Sequence, residues 1–302
     1  MRNKRPLWLY PLFQIPGMLL GMFLVLALLF WLLGWGRPTV AVLIAIDLSP
    51  STYEESPALF NAPNTVMAQE IAAVRSYIEQ NSQQLKVPNQ IQVMGFGGQV
   101  VPLTRDFSSE QQQLEAELTR SLADPSLQSQ IGEGTNLNQA IEQGVKALGG
   151  ISQHCRELLL VTDGEVEVSP SAIAQAADQK VKINALVVGA NAPQLETATL
   201  ATSGIYVSGA EDTLQMLFTD KFFSRFNSNL QWIALWLGFA WVALMWLLTL
   251  PLDRWIFQGW MSLPMNLSGQ LALGNALFWS ILTPIILWQA WRLLGLPLLS
   301  SC

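Results

Sequence analysis

Three short stretches hold side chains whose types and spacing suit cation chemistry. Asp47-Leu48-Ser49-Pro50-Ser51 sets a carboxylate and two hydroxyls at every second position. Gly132-Glu133-Gly134-Thr135-Asn136 adds a third hydroxyl, and Thr162-Asp163-Gly164 adds a second carboxylate. Oxygen-only ligands of this kind suit Mg²⁺, Mn²⁺ or Ca²⁺ and not zinc or copper. The rest of the inventory is poor in catalytic groups. The single histidine, His154, stands beside Cys155 and Arg156 just before an apolar run, with no G-x-S-x-G near it. It reads as an ordinary turn histidine. Asp47 at a strand end invites comparison with phosphatases that begin D-x-D, but Ser49 stands where the second acid would be. There is no Gly-rich P-loop. No nucleophile–base pair is evident, so the expectation is a binding site and not an enzyme.

These residues need a scaffold that brings two strand ends and one helix start to the same edge. The hydropathy pattern supplies it. Val40–Ile46 (VAVLIAI) and Glu157–Thr162 (ELLLVT) are continuous apolar runs, as in strands buried on both faces. Ile91–Phe96, Val100–Leu103, Val181–Val188 and Ile205–Val207 read as further strands. Asn64–Gln80, with Met67, Ile71, Val74 and Ile78 on one face, and Leu137–Leu148 read as helices. Ser108 and Gln111 resemble a capping box, and Ser169-Pro170 an N-cap with a first-turn proline. Strands alternating with helices predict an α/β domain, a doubly wound and mostly parallel sheet. In such folds ligands bind beyond the carboxyl ends of the strands, where Asp47 and Asp163 stand.

At this point the sequence resembles the von Willebrand factor type A (VWA) family. Its metal-ion-dependent adhesion site (MIDAS) has the pattern D-x-S-x-S, then a Thr, then an Asp. Asp47, Ser49, Ser51, Thr135 and Asp163 match all five positions in order, and the resemblance spans residues 39–225. It implies a Rossmann-like VWA domain in which Ser49, Ser51 and Thr135 meet Mg²⁺ (or Mn²⁺ or Ca²⁺) through hydroxyls. Asp47 and Asp163 would act mainly through water or behind the ligands. Neutral hydroxyls leave positive charge on the cation and one position open. In the family, an Asp or Glu of a protein partner commonly fills it. One departure is Thr52, where relatives often have Met. Glu54, Glu55, Glu165 and Glu167 flank the motifs as solvated loop acids, and Thr52–Pro63, with Tyr53 and Phe60, has the length of a lid or specificity loop.

Charge and tryptophan are sharply partitioned. Residues 38–230 hold 21 of the 22 acids and 10 of the 16 bases, a net −11, while all 12 Trp lie at or before position 35 or at or after 232. Charged residues make up only 13% of the chain and hydrophobic ones 51%. Both values argue against a wholly soluble protein, and the acidic domain argues against nucleic-acid binding. After a basic segment, 1–14, the stretch 15–36 is long and apolar enough for a transmembrane helix, as are 230–250 and 271–292. The first is too long for the apolar core of a cleaved signal peptide. A short loop, 251–270, joins the last two, and 293–302 is a tail. Pro284 is tolerable in the third span, and Trp232, Trp255, Trp260 and Trp291 suit the membrane interfaces.

Arg2, Lys4 and Arg5 place the N-terminus in the cytoplasm by the positive-inside rule, and hence the acidic domain outside. Arg37 and Arg292 stand on the outer ends against that assignment. The layout is similar to bacterial aerotolerance (Bat) membrane proteins, which have two spans before the domain and one after it. This chain has one before and two after. The resemblance implies a bacterial inner-membrane protein that assembles or matures other proteins, beside a MoxR-type AAA+ ATPase or other membrane VWA proteins. The first alternative is an accessory or regulatory subunit of a membrane transporter or channel, although the spans carry no Asp, Glu or Lys, and behind it comes a metal-dependent hydrolase.

Overall fold

The computed structural model describes residues 6–53, 60, 62–63, 65–164, 167–189, 191–210 and 213–293. Arg2, Lys4, Arg5, Glu54, Glu55 and Glu165, named above, lie outside the described residues. The chain forms two compact units. One consists of 1–37 and 228–300, the other mainly of 38–227.

The first unit begins with α1 (Pro11–Leu33), which continues through Pro16 and ends at Gly34 in the left-handed region. The sheet unit follows with β1 (Val40–Asp47), all eight of whose residues are buried. Then come α2 (Val66–Gln84), β2 (Gln90–Phe96), β3 (Val100–Pro102), α3 (Gln111–Leu122), α4 (Leu127–Ile131) and α5 (Leu137–Gly149). They are followed by β4 (Cys155–Thr162), α6 (Pro170–Asp178), β5 (Val181–Val188), α7 (Pro193–Ala201) and β6 (Tyr206–Gly209). Residues 214–226 close the unit as α8 (Leu214–Leu217), a π-helical segment (Phe218–Phe223) and α9 (Ser224–Phe226).

The strand order is β3-β2-β1-β4-β5-β6, parallel throughout except for the antiparallel hairpin of β2 and β3. Two apolar layers cover the sheet. On one face Val42, Ile44 and Ile46 of β1 pack with Met67, Ile71 and Val74 of α2 and with Phe218 and Phe222. On the other, Ala41, Leu43 and Ala45 pack with Leu137, Ile141 and Val145 of α5. Alternate residues of one strand therefore feed both layers, which is why VAVLIAI carries no polar residue. Each fully buried Val, Leu or Ile contributes about 1.5–3 kcal/mol.

Ser169 caps α6 as expected, its Oγ accepting from the amide of Ala172 at 3.2 Å. Ser108 does not cap α3, which starts only at Gln111 after Glu110. Its backbone is committed to a bridge with Ile91, donating and accepting at 3.0 and 2.8 Å. Its hydroxyl takes the amide of Glu110 and donates to Gln113.

In the other unit, three helices are long and apolar enough to cross a membrane: Pro11–Leu33, Leu230–Trp260 and Met265–Arg292. The segment expected as a loop, 251–270, is helical over most of its length. Here α10 (Leu230–Leu247) continues through α11 (Thr249–Pro251) and a π-helical segment (Leu252–Trp260), and α12 (Met265–Leu293) starts soon after. The amphipathic LDRWIFQGW winds on as helix through Asp253 and Gly259. Trp255 and Trp260 are exposed, but Trp291 is buried. Trp279 stacks edge-on against Trp241, with centroids 5.3 Å apart.

Candidate metal centre

β1 ends at Asp47, in register with Phe96 of β2 on one side. On its other side Ile46 is in register with Val161 of β4, two residues before Asp163. The motif residues thus reach the carboxyl edge from two adjacent strand ends. After Asp47 the chain turns through a short 3-10 segment, Pro50–Thr52, whose Thr52 hydroxyl donates to the carbonyl of Ser49 at 2.8 Å. This turn holds Ser49 and Ser51 on the same side, with Oγ atoms 3.1 Å apart.

Asp47 is fully buried, and both of its oxygens are engaged. The Ser49 amide donates to Oδ1 at 3.0 Å, and the Thr162 hydroxyl donates to Oδ2 at 2.6 Å. Burial pushes its carboxyl up to about 6, against the hydrogen bonds from Ser49 and Thr162 that favour the charged form. The neighbouring charge of Asp163 raises it further. The Ser51 hydroxyl donates to Oδ1 of Asp163 at 3.1 Å, across the edge. Four of the five expected residues, Asp47, Ser49, Ser51 and Asp163, therefore form one hydrogen-bonded set, with Thr162 as an added member.

Thr135 reaches the same edge by a different route. The 132–136 loop is fastened to the end of β2, where the Asn136 amide donates to the Gly97 carbonyl at 2.6 Å. Gln99 donates likewise to Ile131 at 2.7 Å. This close approach needs Gly97-Gly98, because a Cβ on Gly98 would strike the Glu133 carbonyl. Gly132 and Gly134 themselves adopt positive φ, 68° and 89°. Asn136 then caps α5, accepting from the Gln139 amide at 3.1 Å. No hydrogen bond ties Thr135 to the other four among the described residues.

The donors are mostly neutral hydroxyls. Among the described residues no three His, Cys, Asp or Glu side chains gather as a metal-holding cluster. That chemistry fits a hard divalent cation held by hydroxyl oxygens with carboxylates beside them. Beside the site, the rings of Tyr53 and Phe60 meet edge-on at 5.4 Å, and Gln128 donates to the Tyr53 hydroxyl at 3.4 Å. Residues 54–59 and 61 of the expected lid lie outside the described residues.

Sequence reasoning missed two polar groups here. Thr162 was legible only as part of a strand end. Glu70 of α2, fully buried, carried a plainer signal as an acid on the Met67-Ile71-Val74 stripe.

The topology has solved counterparts. The N-terminal domain of TFIIH p34 matches 61% of this chain and 98% of its own length, with 16% identity and a TM-score of 0.50. The α/β sheet fold is shared with that domain. A von Willebrand factor type A protein from Catenulispora acidiphila matches over 63% of this chain with 16% identity and a TM-score of 0.49. The match spans 43% of that protein's chain, less than half its length. BatB from Bacteroides thetaiotaomicron matches over 60% of this chain and 96% of its own, with 16% identity and a TM-score of 0.44. At such identities the likeness concerns the fold alone. No family model and no curated protein sequence matches the chain.

Proposed function

We propose that this chain is a membrane-anchored module that binds a protein partner through a divalent cation at the carboxyl edge of its sheet. The observation that carries this reading is the hydrogen-bonded set Ser49–Ser51–Asp163, backed by buried Asp47. Hydroxyls prearranged at this spacing suit a cation that keeps surplus positive charge. Mg²⁺ is the first choice, with Mn²⁺ or Ca²⁺ as substitutes. An Asp or Glu of the partner completes the coordination. The role proposed is binding and not catalysis, since no nucleophile–base pair lies at the edge among the described residues. The anchor–domain–anchors layout supports a part in assembling or maturing other proteins, with a MoxR-type ATPase or other membrane VWA proteins as partners. It also supports a bacterial inner-membrane location with the sheet domain outside.

The test uses the full chain in detergent micelles or nanodiscs. Saturable Mg²⁺ or Mn²⁺ binding by calorimetry, lost in Asp47→Ala and Ser49→Ala, is the expected result. Partner capture that is abolished by chelator and by the same substitutions completes it. Capture that ignores both would remove the cation from the function. Reporter fusions at 229 and 262 fix the orientation.

A further inference from the structure

Glu70 is the fifth residue of α2 and is 0% exposed, yet neither carboxylate oxygen has a hydrogen-bond partner among the described residues. Its neighbours on the same helix face, Met67, Ala73 and Val74, are buried and apolar. A Leu or Met would fill the position without the desolvation cost of an unpaired polar group. The acid is therefore a local flaw unless something beyond the described side chains pairs with it.

Its place in the fold says what that is. α2 links two parallel strands, β1 and β2, so it runs back from the carboxyl edge. Its first turns, and Glu70 with them, lie at the end of the sheet where Asp47 and Asp163 stand. Burial raises the Glu70 carboxyl well above the usual range, and the two charges that add to the effect are those of Asp47 and Asp163.

We propose that Glu70 is a positioning residue of the metal centre, its carboxylate accepting a hydrogen bond from a water on the cation. The inference rests on the cation reading above and deepens it. Among the described residues Glu70, Asp47 and Asp163 form no three-acid cluster, so the proposal puts Glu70 behind the ligands and not among them. Mg²⁺ ordinarily keeps several of its waters, so such a layer is available to it. A carboxylate there supplies negative charge that the hydroxyls lack and holds the cation before any partner arrives.

The test is calorimetric titration of Mn²⁺ into the full chain in detergent, wild type beside Glu70→Gln. Glu70→Gln keeps the shape and removes the charge. The expected result is binding weakened by about tenfold or more, the usual effect of losing a partner behind a metal ligand. Equal affinity in the two proteins would overturn the proposal and leave the cation site standing. Absence of saturable binding in the wild type would overturn the cation reading, and this proposal with it. Glu70→Leu gives a second readout that a packing role alone would not produce. Without cation it should melt at or above the wild-type temperature, and Mn²⁺ should raise its melting point less than it raises that of the wild type. A full Mn²⁺-induced shift in Glu70→Leu would overturn the proposal even if Glu70→Gln fails to fold.

Discussion

The Ser51 hydroxyl donates to Oδ1 of Asp163 at 3.1 Å, joining the loop after β1 to the end of β4. Ser51 is exposed, so the bond adds little to folding, and its value lies in holding two cation-facing groups together. Ser51→Ala should change thermal stability by less than about 0.5 kcal/mol. It should nonetheless weaken Mn²⁺ binding by at least about tenfold, since a ligand and an orienting bond go together. Paired melts and titrations check this. An unchanged dissociation constant would remove Ser51 from the ligand set.

Asp47 makes the centre sensitive to pH. Its carboxyl titrates near 6 in the fold against 3.8 for the ordinary group, so the fold prefers the protonated form. Without cation, this contribution is fully present below about 4 and is lost as pH rises through about 6, on the order of 3 kcal/mol. A cation needs the ionised carboxylate and reverses the trend, so its affinity should rise with pH up to about 6 and then level. Melts in chelator and titrations in Mn²⁺, each across pH 4.5–7.5 (roughly the window bracketing that value), should slope in opposite directions. Asp47→Asn should reduce both slopes, leaving in the chelator melts the part due to Glu70, whose buried carboxyl is also raised.

Thr162 ties this carboxylate to β4, donating to Oδ2 at 2.6 Å. Thr162→Val keeps the shape and removes the only hydroxyl on that oxygen among the described residues. The cost of an unsatisfied buried acceptor is about 1–3 kcal/mol. The loss should appear mainly above pH 6, where Asp47 is charged. Denaturant melts at acidic and neutral pH, wild type beside variant, read the difference directly. An equal loss at both pH values would mean that the methyl packing of Thr162, and not its hydrogen bond, is what matters.

Much of this scaffold was legible because burial on both faces leaves an unmistakable pattern. VAVLIAI and ELLLVT are strands with alternate residues in opposite layers, and turn-forming residues separate them from helices with one apolar stripe. Four of the five motif residues proved to share one hydrogen-bonded set for the same reason, since two adjacent buried strands must end side by side. The rest depended on tertiary contacts. Ser108 has a capping residue's chemistry, but its backbone is held in a bridge to Ile91. Residues 252–260 carry Asp253, Gly259 and two exposed Trp, a composition that suits a loop as well as the helix it forms. Thr162 gains its partner only when β4 lies beside β1. Glu70 was visible as an acid in an apolar stripe, but only the fold shows which edge it lies at.

The glycine pair at the end of β2 controls Thr135 from a distance. A Cβ on Gly98 would run into the Glu133 carbonyl, a backbone atom that cannot swing aside like a side-chain tip. Gly98→Ala must therefore push the 132–136 loop off the sheet end. Crowding of this kind costs about 1–3 kcal/mol, and the displaced Thr135 should weaken cation binding as well. Thr135→Ala isolates the second effect, because it deletes the hydroxyl and leaves the loop seated. If both variants lose affinity but only Gly98→Ala loses stability, Thr135 belongs to the centre and Gly98 places it. If Thr135→Ala binds Mn²⁺ like the wild type, the centre is complete with Ser49, Ser51 and the two aspartates.

The last prediction concerns the membrane unit. The Asn229 side-chain amide donates to the carbonyls of Phe30 and Trp35, at 2.7 and 2.8 Å. The Phe30 carbonyl belongs to the last turn of α1, where helix carbonyls lack intrahelical partners, and Trp35 follows the Gly34 cap that ends the helix. Asn229 is 8% exposed, so water does not readily replace it. Asn229→Leu removes both donors while keeping a similar volume, and leaving these acceptors unpaired should cost about 1–3 kcal/mol. The melting transition in detergent should fall accordingly. Mn²⁺ affinity should stay at the wild-type value, because none of the residues proposed to hold the cation belongs to this unit. A coupled loss of affinity would show instead that the anchors bias the state of the sheet edge, and would make the membrane unit part of the binding device.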